Sequence, residues 1–520
     1  MLLHQLVEAA ELATPDDAAL HFHDRTISFG ELGQRVRQAA TATTEIAPET
    51  GSRVAMVGPN HPAWISAYYG VPRAGRILLF LNHRLAPPEL ASLVDRSEAA
   101  AVVGPPEQLE PLRSALPRAS HSRLVELDEW ERICDEVPAD PAGITTGIPV
   151  DDPSAPAWLL YTSGTTGRPK GAILTHRSLL AGVAVSRVGR PVAPNAVGVF
   201  PFPLCHVAGY NVLCHHDAGR PVVLLPRFEA ATFIQAVARW HGTSTTVTAT
   251  MLASLLDDLE ADPAARPKLS SLVSMTYGAA PMPPVLLRRL RRYLDVALSQ
   301  GYGMTELSGN AAFLGPEEHE RGLAGEEHLL LAAGRPGPGV EMRVVDDDMV
   351  ALPTGGIGEI VVRGAQVMAG YWGDPVATAA TLVDGWLRTG DLGRFDEEGL
   401  LYVVDRKKDV IVTGGENVAS REVEEAVQRC CPEVREVAVV GVPDRRWGEN
   451  VCAVVAPARD ARIDPDALIE ELRDQLAGFK LPRQVVVVEE LPKNATGKVQ
   501  KQELRTWLAE NPEAAGRRRG

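Results

Sequence analysis

Short apolar runs alternate with stretches of helical periodicity through the first part of the chain. Residues 54–57, 77–81 and 100–103 are brief apolar runs that predict buried strands. Helices are predicted between these strands, around 64–69 and over 87–96. Alternation of strand and helix is typical of layered α/β folds. We therefore predict a large α/β domain with several subdomains at the N-terminal end of the chain.

The pattern changes near residue 405. A predicted hairpin over 394–404, turning at Gly399, precedes the charged run 405–409. A helix is predicted from Ser420, which is a suitable N-cap residue. In the C-terminal part, strands are predicted at 410–412, 437–440, 451–455 and 484–488, and a further helix is predicted at 464–476. Two more strands are predicted in the first part, at 221–225 and 244–248. The C-terminal part therefore has its own strands and helices.

These changes predict two domains with a boundary at about residue 405. The first spans 1–405, and the second, a small mobile α+β domain joined by a hinge, spans 406–520. Within the first domain, residues 131–156 are rich in Pro, Asp and Gly and are predicted to form a surface linker.

Composition narrows the class of protein. The chain has 520 residues, 45% of them hydrophobic, and a net charge of −15, which argues against nucleic-acid binding. The six cysteines show no CxxC or Cys/His zinc spacing and suit a reducing compartment. The first residues lack the features of a signal peptide, and no apolar run approaches the roughly 20 residues of a membrane span. We expect a soluble cytoplasmic protein.

One stretch, 158–176, combines the features of a phosphate-binding loop. An apolar run at 158–161 predicts a strand, and a second short run follows at 172–174. Glycines between them let backbone N–H groups approach a ligand, while hydroxyls and a lysine add donors and positive charge. These candidate ligands of a polyphosphate are Thr162, Ser163, Gly164, Thr165, Thr166, Gly167 and Lys170. An ordinary Gly/Ser/Thr turn is the alternative, and the Walker A ending is absent.

This stretch resembles the phosphate loop of the adenylate-forming superfamily, which includes acyl-CoA synthetases, firefly luciferase and peptide-synthetase adenylation domains. Residues 301–306 resemble a second motif of that superfamily. The resemblance implies that Tyr302 stacks on adenine, that Thr305 contacts the α-phosphate and that Glu306 binds Mg²⁺, with Gly303 also among the nucleotide-binding residues. A second loop on the adenine side is implied at Gly278, Ala279, Ala280 and Pro281.

Three further motifs follow in the order that the superfamily has. In 385–391, Asp391 matches the aspartate that binds the ATP ribose. In the charged run, Arg406 matches an arginine that reaches ribose and phosphate, and Lys408 matches the hinge position. In 491–498, Lys498 matches the lysine that bridges the carboxylate and the α-phosphate. Without the resemblance, Asp391 would be interpreted as part of a turn, and the three cations as ordinary solvent-exposed side chains.

The resemblance also implies sites for the acid and for coenzyme A. His206 matches an aromatic or histidine gate and is counted with Thr305, Glu306 and Lys498 as catalytic, although we do not expect it to do acid–base work. Where many members have phenylalanine, this chain has Cys205. The candidate acyl pocket comprises Tyr210, Tyr277, Gly301, Gly309 and Asn310, and the candidate coenzyme A contacts are Gly414, Gly415 and Trp447, with Arg445 or Arg446.

The implied activity is that of an ATP-dependent, AMP-forming acyl-CoA synthetase with Mg²⁺ and coenzyme A. The C-terminal domain would close one way for adenylation and rotate at the hinge for thioester formation. A stand-alone adenylation enzyme that transfers the acyl group to a carrier protein is the alternative. A luciferase-like oxygenase and a non-catalytic nucleotide-binding regulator also stay open. Amino-acid-activating relatives carry an aspartate shortly after the position of His206 to hold the α-ammonium, and residues 210–213 contain none. An α-amino acid is therefore disfavoured, and we expect an aryl or medium-chain acid.

Overall fold

The computed structural model describes residues 1–118, 120–136, 151–162, 169–278, 282–458, 461–493 and 499–511. The chain forms two compact units. The first comprises Met1–Met342 and Val362–Leu387, and the second comprises Arg343–Val361 and Arg388–Gly520. Within the described ranges, the search for a helix long and apolar enough to cross a membrane finds no candidate.

Most of the α-helices in the described ranges begin at a proline or a side-chain cap. Those of the first unit are α1 (His4–Ala13), α2 (Phe29–Ile46), α3 (Pro62–Arg73), α4 (Pro87–Arg96), α5 (Pro106–Ala115), α6 (Leu127–Glu136), α7 (His176–Gly189), α8 (Tyr210–Asp217), α9 (Ala230–Trp240), α10 (Ala249–Ala261), α11 (Pro284–Tyr293), α12 (Pro316–Ala324) and α13 (Pro375–Thr381). Those of the second unit are α14 (Ser420–Cys430), α15 (Pro465–Leu472) and α16 (Lys501–Glu510). Short 3₁₀ turns lie at Val207–Gly209, Pro263–Leu269, Thr305–Leu307, Glu327–Leu331 and Gly478–Lys480.

Among the described residues, the first fifteen strands of the chain lie in the first unit and, together with one later strand, form its two sheets. They are β1 (Ala18–Phe22), β2 (Arg25–Ser28), β3 (Arg53–Val57), β4 (Ile77–Leu81), β5 (Ala99–Gly104), β6 (Arg123–Glu126), β7 (Pro156–Thr162), β8 (Lys170–Thr175), β9 (Gly198–Phe200), β10 (Val222–Leu224), β11 (Ser244–Val247), β12 (Ser274–Gly278), β13 (Ala297–Met304), β14 (Gly309–Leu314) and β15 (Arg335–Pro336). The remaining strands are β16 (Glu341–Val345), β17 (Gly358–Arg363), β18 (Gly370–Tyr371), β19 (Leu382–Val383), β20 (Trp386–Phe395), β21 (Leu401–Arg406), β22 (Ile411–Thr413), β23 (Glu416–Val418), β24 (Val434–Asp444), β25 (Gly448–Pro457) and β26 (Gln484–Val487).

One sheet of the first unit has the strand order β18-β8-β7-β4-β3-β5-β6. Strands β7, β4, β3, β5 and β6 run parallel, and β8 returns antiparallel to β7. The aromatic side chains Trp64, Tyr68, Phe80 and Trp158 pack together where α3 lies against β4 and β7. This aromatic packing explains why the apolar runs at β3, β4 and β7 are nearly continuous, since such strands are buried on both faces.

The other sheet of the first unit has the order β15-β14-β13-β12-β11-β9-β10-β1-β2. Its core includes Phe233, Leu255, Tyr277 and Leu298. Strand β12 runs parallel to β13, and β14 returns antiparallel to β13. This arrangement places Gly278 and residues 301–304, from the two predicted adenine-side segments, on neighbouring strands.

The second unit has its own cores. Strand β20 pairs antiparallel with β21, and the hairpin turns at Gly399, whose φ is +76°. The strands after it form a sheet in the order β23-β22-β25-β24, with β26 beside β25. Helices α14 and α15 cover one face of this sheet, and α16 packs its Leu504 and Leu508 into a separate cluster with β24, β25 and β26.

The predicted α/β class, with a smaller α+β part after it, is confirmed. Two local predictions are wrong. Residues 131–136 belong to α6 rather than a linker, because Trp130, Ile133 and Cys134 form a buried helical face, while 137–150 lie outside the described residues. Ser420 is the first residue of α14 and Ala419 is its N-cap. The carboxylate of Asp405, on β21, accepts hydrogen bonds from the N–H and the hydroxyl of Ser420 and so caps the start of α14.

Candidate active site

The phosphate-loop stretch begins and ends on a β-hairpin. Thr162, the last residue of β7, lies opposite Lys170, the first residue of β8. The predicted ligands Ser163, Gly164, Thr165, Thr166 and Gly167 lie outside the described residues. The Thr162 hydroxyl lies 3.5 Å from a carboxylate oxygen of Glu306, and its separation from the Lys170 carbonyl oxygen is 3.4 Å. The fold therefore brings the first phosphate motif to the predicted metal ligand.

Glu306 is a buried carboxylate, only 5% exposed, at the 3₁₀ turn that follows β13. The Tyr371 hydroxyl donates to its Oε1 at 2.9 Å, and its backbone oxygen accepts from the Met368 N–H, also at 2.9 Å. Strand β18 holds Tyr371 opposite Ala172 of β8. Burial, and then the charge of Glu306, raise the pKa of the Tyr371 hydroxyl, so it remains a proton donor to the carboxylate at neutral pH.

Lys170 completes this cluster. Its ammonium nitrogen lies 5.1 Å from the ring centroid of Tyr371, within cation–π range. Thr162, Lys170, Glu306 and Tyr371 thus group a hydroxyl, a cation, a carboxylate and a phenol at one edge of the sheet. Sequence reasoning missed Tyr371, because Gly370 and Tyr371 form a two-residue strand whose pairing with β8 leaves no local signal.

The adenine-side residues meet through close backbone approach. Gly278 lies opposite Gly301 in the parallel ladder of β12 and β13. A Cβ on Gly278 would lie 2.7 Å from the Gly301 carbonyl oxygen, and one on Gly303 would lie 2.0 Å from the Gly309 carbonyl oxygen. Glycine is therefore required at 278 and 303 by contact with neighbouring backbone. Tyr302 and Thr305 lie on either side of the end of β13, while Ala279, Ala280 and Pro281 lie outside the described residues.

Four of the five acyl-pocket candidates fall into contact pairs. A Cβ on Gly309 would lie 3.2 Å from the ring of Tyr210, and one on Gly301 would lie 1.8 Å from the side-chain nitrogen of Asn310. Tyr210 is 3% exposed, and its hydroxyl accepts a bond from Arg190 at 2.5 Å. The start of β14 therefore contacts two other elements: Gly309 packs against Tyr210 of α8, and Asn310 packs against Gly301 of β13.

Tyr277, the fifth acyl-pocket candidate, lies in the hydrophobic core of the nine-strand sheet. It is 1% exposed, and its hydroxyl is 2.7 Å from Nε2 of His319. Both features are those of a satisfied core tyrosine. Its role in a pocket stays a prediction without support from this packing.

His206 is the N-cap residue of the 3₁₀ turn Val207–Gly209. Its Nε2 is buried and has no hydrogen-bond partner among the described residues. Burial, followed by the charges of Arg84 and His83, lowers the pKa of His206 to about 4. The imidazole is therefore neutral at physiological pH.

The second unit holds the ribose candidates as a cross-strand pair. Asp391 of β20 lies opposite Arg406 of β21, and Nε of Arg406 is 3.0 Å from a carboxylate oxygen of Asp391. Glu359, 5% exposed, accepts from Arg388 at 2.6 Å and from the Gly390 N–H at 3.3 Å. Glu359 thus fixes the turn that presents Asp391. Sequence reasoning missed it because it lies 32 residues before Asp391 on a different strand.

Lys408, the predicted hinge residue, is exposed beside two buried carboxylates. Asp405 caps α14, and Asp409 accepts from Arg505 of α16 at 2.9 Å. Lys498 lies outside the described residues. The described residues Lys493 and Val499 pair in an antiparallel β-bridge. The predicted boundary at 405 and the hinge at Lys408 stay predictions.

The coenzyme A candidates of the second unit also lie together. Gly414 and Gly415 form the turn between β22 and β23 with φ of +61° and +87°. The Gly414 N–H donates to the Trp447 carbonyl at 2.8 Å, and a Cβ on Gly414 would lie 2.8 Å from the indole. The guanidinium groups of Arg446 and Arg483 lie 4.8 Å and 4.4 Å from the Trp447 ring centroid. Arg483 was not predicted, because it comes from a loop 36 residues later.

Comparison with known proteins decides the family. A model described as AMP-binding enzyme matches residues 7–372, and one described as AMP-binding enzyme C-terminal domain matches residues 422–498. The chain belongs to the AMP-binding enzyme family. The predicted membership of the adenylate-forming superfamily is therefore confirmed, and the protein is an enzyme of the ligase type that this family comprises.

Individual relatives of this enzyme match along most of its length. It is 36% identical over 501 residues to feruloyl-CoA synthase of Amycolatopsis sp, covering 95% of this chain and 96% of that protein. It is 33% identical over 501 residues to the fatty acid–[acyl-carrier-protein] ligase ScoC of Streptomyces coeruleorubidus, covering 94% and 93%. Among solved structures, o-succinylbenzoate CoA synthetase of Bacillus subtilis, in complex with its acyl-adenylate intermediate, matches with a TM-score of 0.83 and 27% identity over 96% of this chain and 97% of that one.

The residues around Glu306 fit the Mg²⁺ ion that the family implies. The described ranges contain no cluster of three or more His, Cys, Asp or Glu side chains suited to a metal ion. Mg²⁺ in nucleotide sites needs only one or two carboxylates besides phosphate and water oxygens. A buried carboxylate with the Thr162 and Tyr371 hydroxyls beside it supplies this all-oxygen chemistry.

Proposed function

We propose that this enzyme is an ATP-dependent, AMP-forming acyl-CoA synthetase. In the first step a carboxylate oxygen of the acid attacks the α-phosphorus of ATP, the bond to the β-phosphate oxygen breaks and pyrophosphate leaves. In the second step the thiolate of coenzyme A attacks the acyl carbon of the mixed anhydride, and AMP leaves with the electron pair of the C–O bond. Both steps depend mainly on positioning and on charge neutralisation.

The observation that carries the proposal is the cluster of Thr162, Lys170, Glu306 and Tyr371. It places a cation and hydroxyl donors at the end of a hairpin whose loop has the phosphate-binding composition. Lys170 would neutralise phosphate charge, and the hydroxyl of Thr305 would contact the α-phosphate. A magnesium ion held by Glu306 would neutralise further phosphate charge when bound. Tyr371 would keep the Glu306 carboxylate oriented.

Residues of the second unit are assigned roles on the nucleotide and on coenzyme A. Asp391 would accept hydrogen bonds from the ribose hydroxyls, and the guanidinium of Arg406 would hold Asp391 and reach ribose and phosphate oxygens. Lys498 would offset the repulsion between the carboxylate and the α-phosphate. Trp447, flanked by Arg446 and Arg483, would offer coenzyme A a stacking face with positive charge beside it.

We infer an aryl acid as the substrate class, with a medium-chain acid as the second choice. The buried ring of Tyr210 and the amide of Asn310 give the candidate pocket a neutral, partly aromatic wall. Two of the relatives above are named for aryl acids, which supports this choice. The neutral imidazole of His206, which we also place at this pocket, agrees with an uncharged acyl group.

The test measures AMP and pyrophosphate release from ATP with ferulate, benzoate and octanoate, each with and without coenzyme A. We expect acid-dependent pyrophosphate release and coenzyme A-dependent AMP release, with ferulate or benzoate the best acid. Pyrophosphate release without stimulation by coenzyme A, but with acyl transfer to a phosphopantetheinylated carrier protein, would favour the carrier-loading alternative. Nucleotide binding without any pyrophosphate release would overturn the enzymatic proposal.

A further inference from the structure

A cavity of about 380 Å³ lies in the first unit, apart from the residues assigned above. Its walls come from the ends of β1, β3, β5 and β6, and the described residues that line it include none of the nucleotide or acyl candidates. Ligand pockets in proteins typically enclose about 300–1,000 Å³. The cavity is therefore large enough for a small molecule.

The topology of the parallel sheet explains why a crevice forms here. Strands β3 and β5 are neighbours in the sheet. The chain leaves β3 through α3 towards β4 on one side, and it leaves β5 through α5 towards β6 on the other. Two connections that diverge from neighbouring parallel strands leave a gap at their carboxyl ends, where open α/β sheets bind ligands. Val57 and Pro105, which line the cavity, stand at those two ends.

The loop after β3 is built rigidly around this gap. Asn60, 4% exposed, donates to the carbonyl oxygens of Phe202 and Leu225 at 2.7 and 2.8 Å and accepts from the Leu204 N–H at 2.6 Å. The Trp64 indole donates to the Pro59 carbonyl at 3.2 Å. The cavity wall is therefore fixed by satisfied hydrogen bonds and does not need a ligand in order to form.

The lining is aromatic and apolar with few polar groups. The rings of Phe22 and His61 meet edge to face, with centroids 5.6 Å apart and an interplanar angle of 78°. Nδ1 of His61 accepts the Ala63 N–H at 3.2 Å, so Nε2 carries the proton of the neutral ring. Met56, Val57 and Leu127 supply aliphatic surface. This wall suits a flat ring system.

Charge around the cavity is negative. The exposed carboxylate of Glu107 lines it, Asp128 and Glu131 lie near His61, and the imidazole of His23 also lines the cavity. The described lining residues include no lysine or arginine. Such a site repels an anion and favours a cation.

We propose that this cavity is a second small-molecule site, which binds a planar aromatic amine in its cationic form. The ring system would lie between Phe22, His61 and the aliphatic wall, with the ammonium group towards Glu107. The site is distinct from the adenylation chemistry, because it lies at β3 and β5 whereas the phosphate hairpin lies at β7 and β8.

The experiment uses the full-length protein and two probes of similar size, 2-naphthylmethylammonium and 2-naphthalenesulfonate. Neither is a carboxylic acid, so neither can be adenylated. Binding is measured by isothermal titration calorimetry in the presence and absence of saturating ATP. We expect the ammonium probe to bind at least tenfold more tightly than the sulfonate and to bind equally well with ATP present. Failure of the ammonium probe to bind, or equal binding of both probes, would overturn the proposal.

Variants test the location. Leu127→Trp fills the cavity and should weaken binding of the ammonium probe at least tenfold, whereas Val188→Trp, at a position 62% exposed on α7, should leave it unchanged. Glu107→Gln, an exposed change that should not disturb folding, should reduce the preference for the ammonium probe by about the factor of ten that one charge contact of ~1.4 kcal/mol represents. Wild-type affinity in both cavity variants would place the probe elsewhere and refute the assignment. Asn60 is left unchanged, because it also holds the segment before His206.

Discussion

Substitution of Tyr371 by phenylalanine tests the least expected member of the candidate site. The change removes the hydroxyl that donates to Glu306 Oε1 at 2.9 Å and keeps the ring beside Lys170. The carboxylate is 5% exposed, so water cannot fully replace the lost donor. The Thr162 hydroxyl, at 3.5 Å, is a poor substitute.

A hydrogen bond to a charged group contributes ~1.5–3 kcal/mol. At ~1.4 kcal/mol per factor of ten, this range corresponds to a roughly 10- to 150-fold effect. Loss of a residue that orients a metal ligand typically costs about 10- to 100-fold in metal affinity or activity, which agrees with that range. We therefore expect the Mg²⁺ concentration for half-maximal pyrophosphate release to rise at least tenfold in Tyr371→Phe.

The assay is acid-dependent pyrophosphate release at saturating ATP over a range of Mg²⁺ concentrations. Tyr293→Phe is the matched control, because Tyr293 lies on α11, part-buried against the core of the other sheet. The control should keep the wild-type Mg²⁺ dependence. If Tyr371→Phe keeps that dependence to within twofold, while folded by circular dichroism, the Tyr371–Glu306 bond does not orient a metal ligand and the reasoning fails.

Three further changes test other parts of the structure. Asp391→Ala should raise the KM for ATP roughly tenfold or more, because two ribose hydroxyls lose a charged acceptor worth ~1.5–3 kcal/mol; an unchanged KM would remove Asp391 from the ribose site. Lys498→Ala should slow pyrophosphate release roughly 10²–10³-fold, yet leave thioester formation from supplied acyl-adenylate near the wild-type rate, and equal loss of both steps would contradict this division. His216, whose pKa burial lowers to about 4, is neutral in the fold, so stability is full above pH 6.5 and falls as pH drops towards 4, by ~3 kcal/mol at most for this group. Because burial also lowers the pKa of His176 and His206 to about 4, His216→Gln should reduce, but not abolish, the slope of the urea-midpoint profile between pH 6.5 and 4.5, and an unaltered slope would show that His216 does not titrate there.

Sequence patterns predicted the central strands of the parallel sheet, β3, β4, β5 and β7, because those strands are buried on both faces. The runs 54–57 and 77–81 match β3 and β4 to within one residue. The helix over 131–136 was missed because acidic residues and a following Pro- and Gly-rich stretch conceal the buried face of Trp130 and Ile133. A short periodic segment at the edge of a loop carries too few positions to indicate a helix.

The candidate site divides in the same way. Thr162 and Lys170, or Asp391 and Arg406, could be assigned from motifs, and the structure pairs each couple across an antiparallel ladder. Tyr371 and Glu359 could not be assigned, because their importance comes only from contacts made across strands far apart in the chain. A single sequence shows which residues lie near a motif. It does not show which distant side chain donates a hydrogen bond to a buried carboxylate.

The anchoring of α16 makes the C-terminal segment a structural requirement. Glu424 of α14 is half-buried, and the ammonium of Lys501 lies 2.8 Å from its carboxylate. Leu504 and Leu508 close the cluster beneath β24 and β25. A chain truncated before residue 499 would leave a half-buried anion without its cation and an uncovered apolar sheet face, and such an exposed apolar face promotes aggregation. Purification tags and fusion partners therefore belong after α16, and a shortened chain should be recovered as insoluble protein rather than as an inactive soluble enzyme.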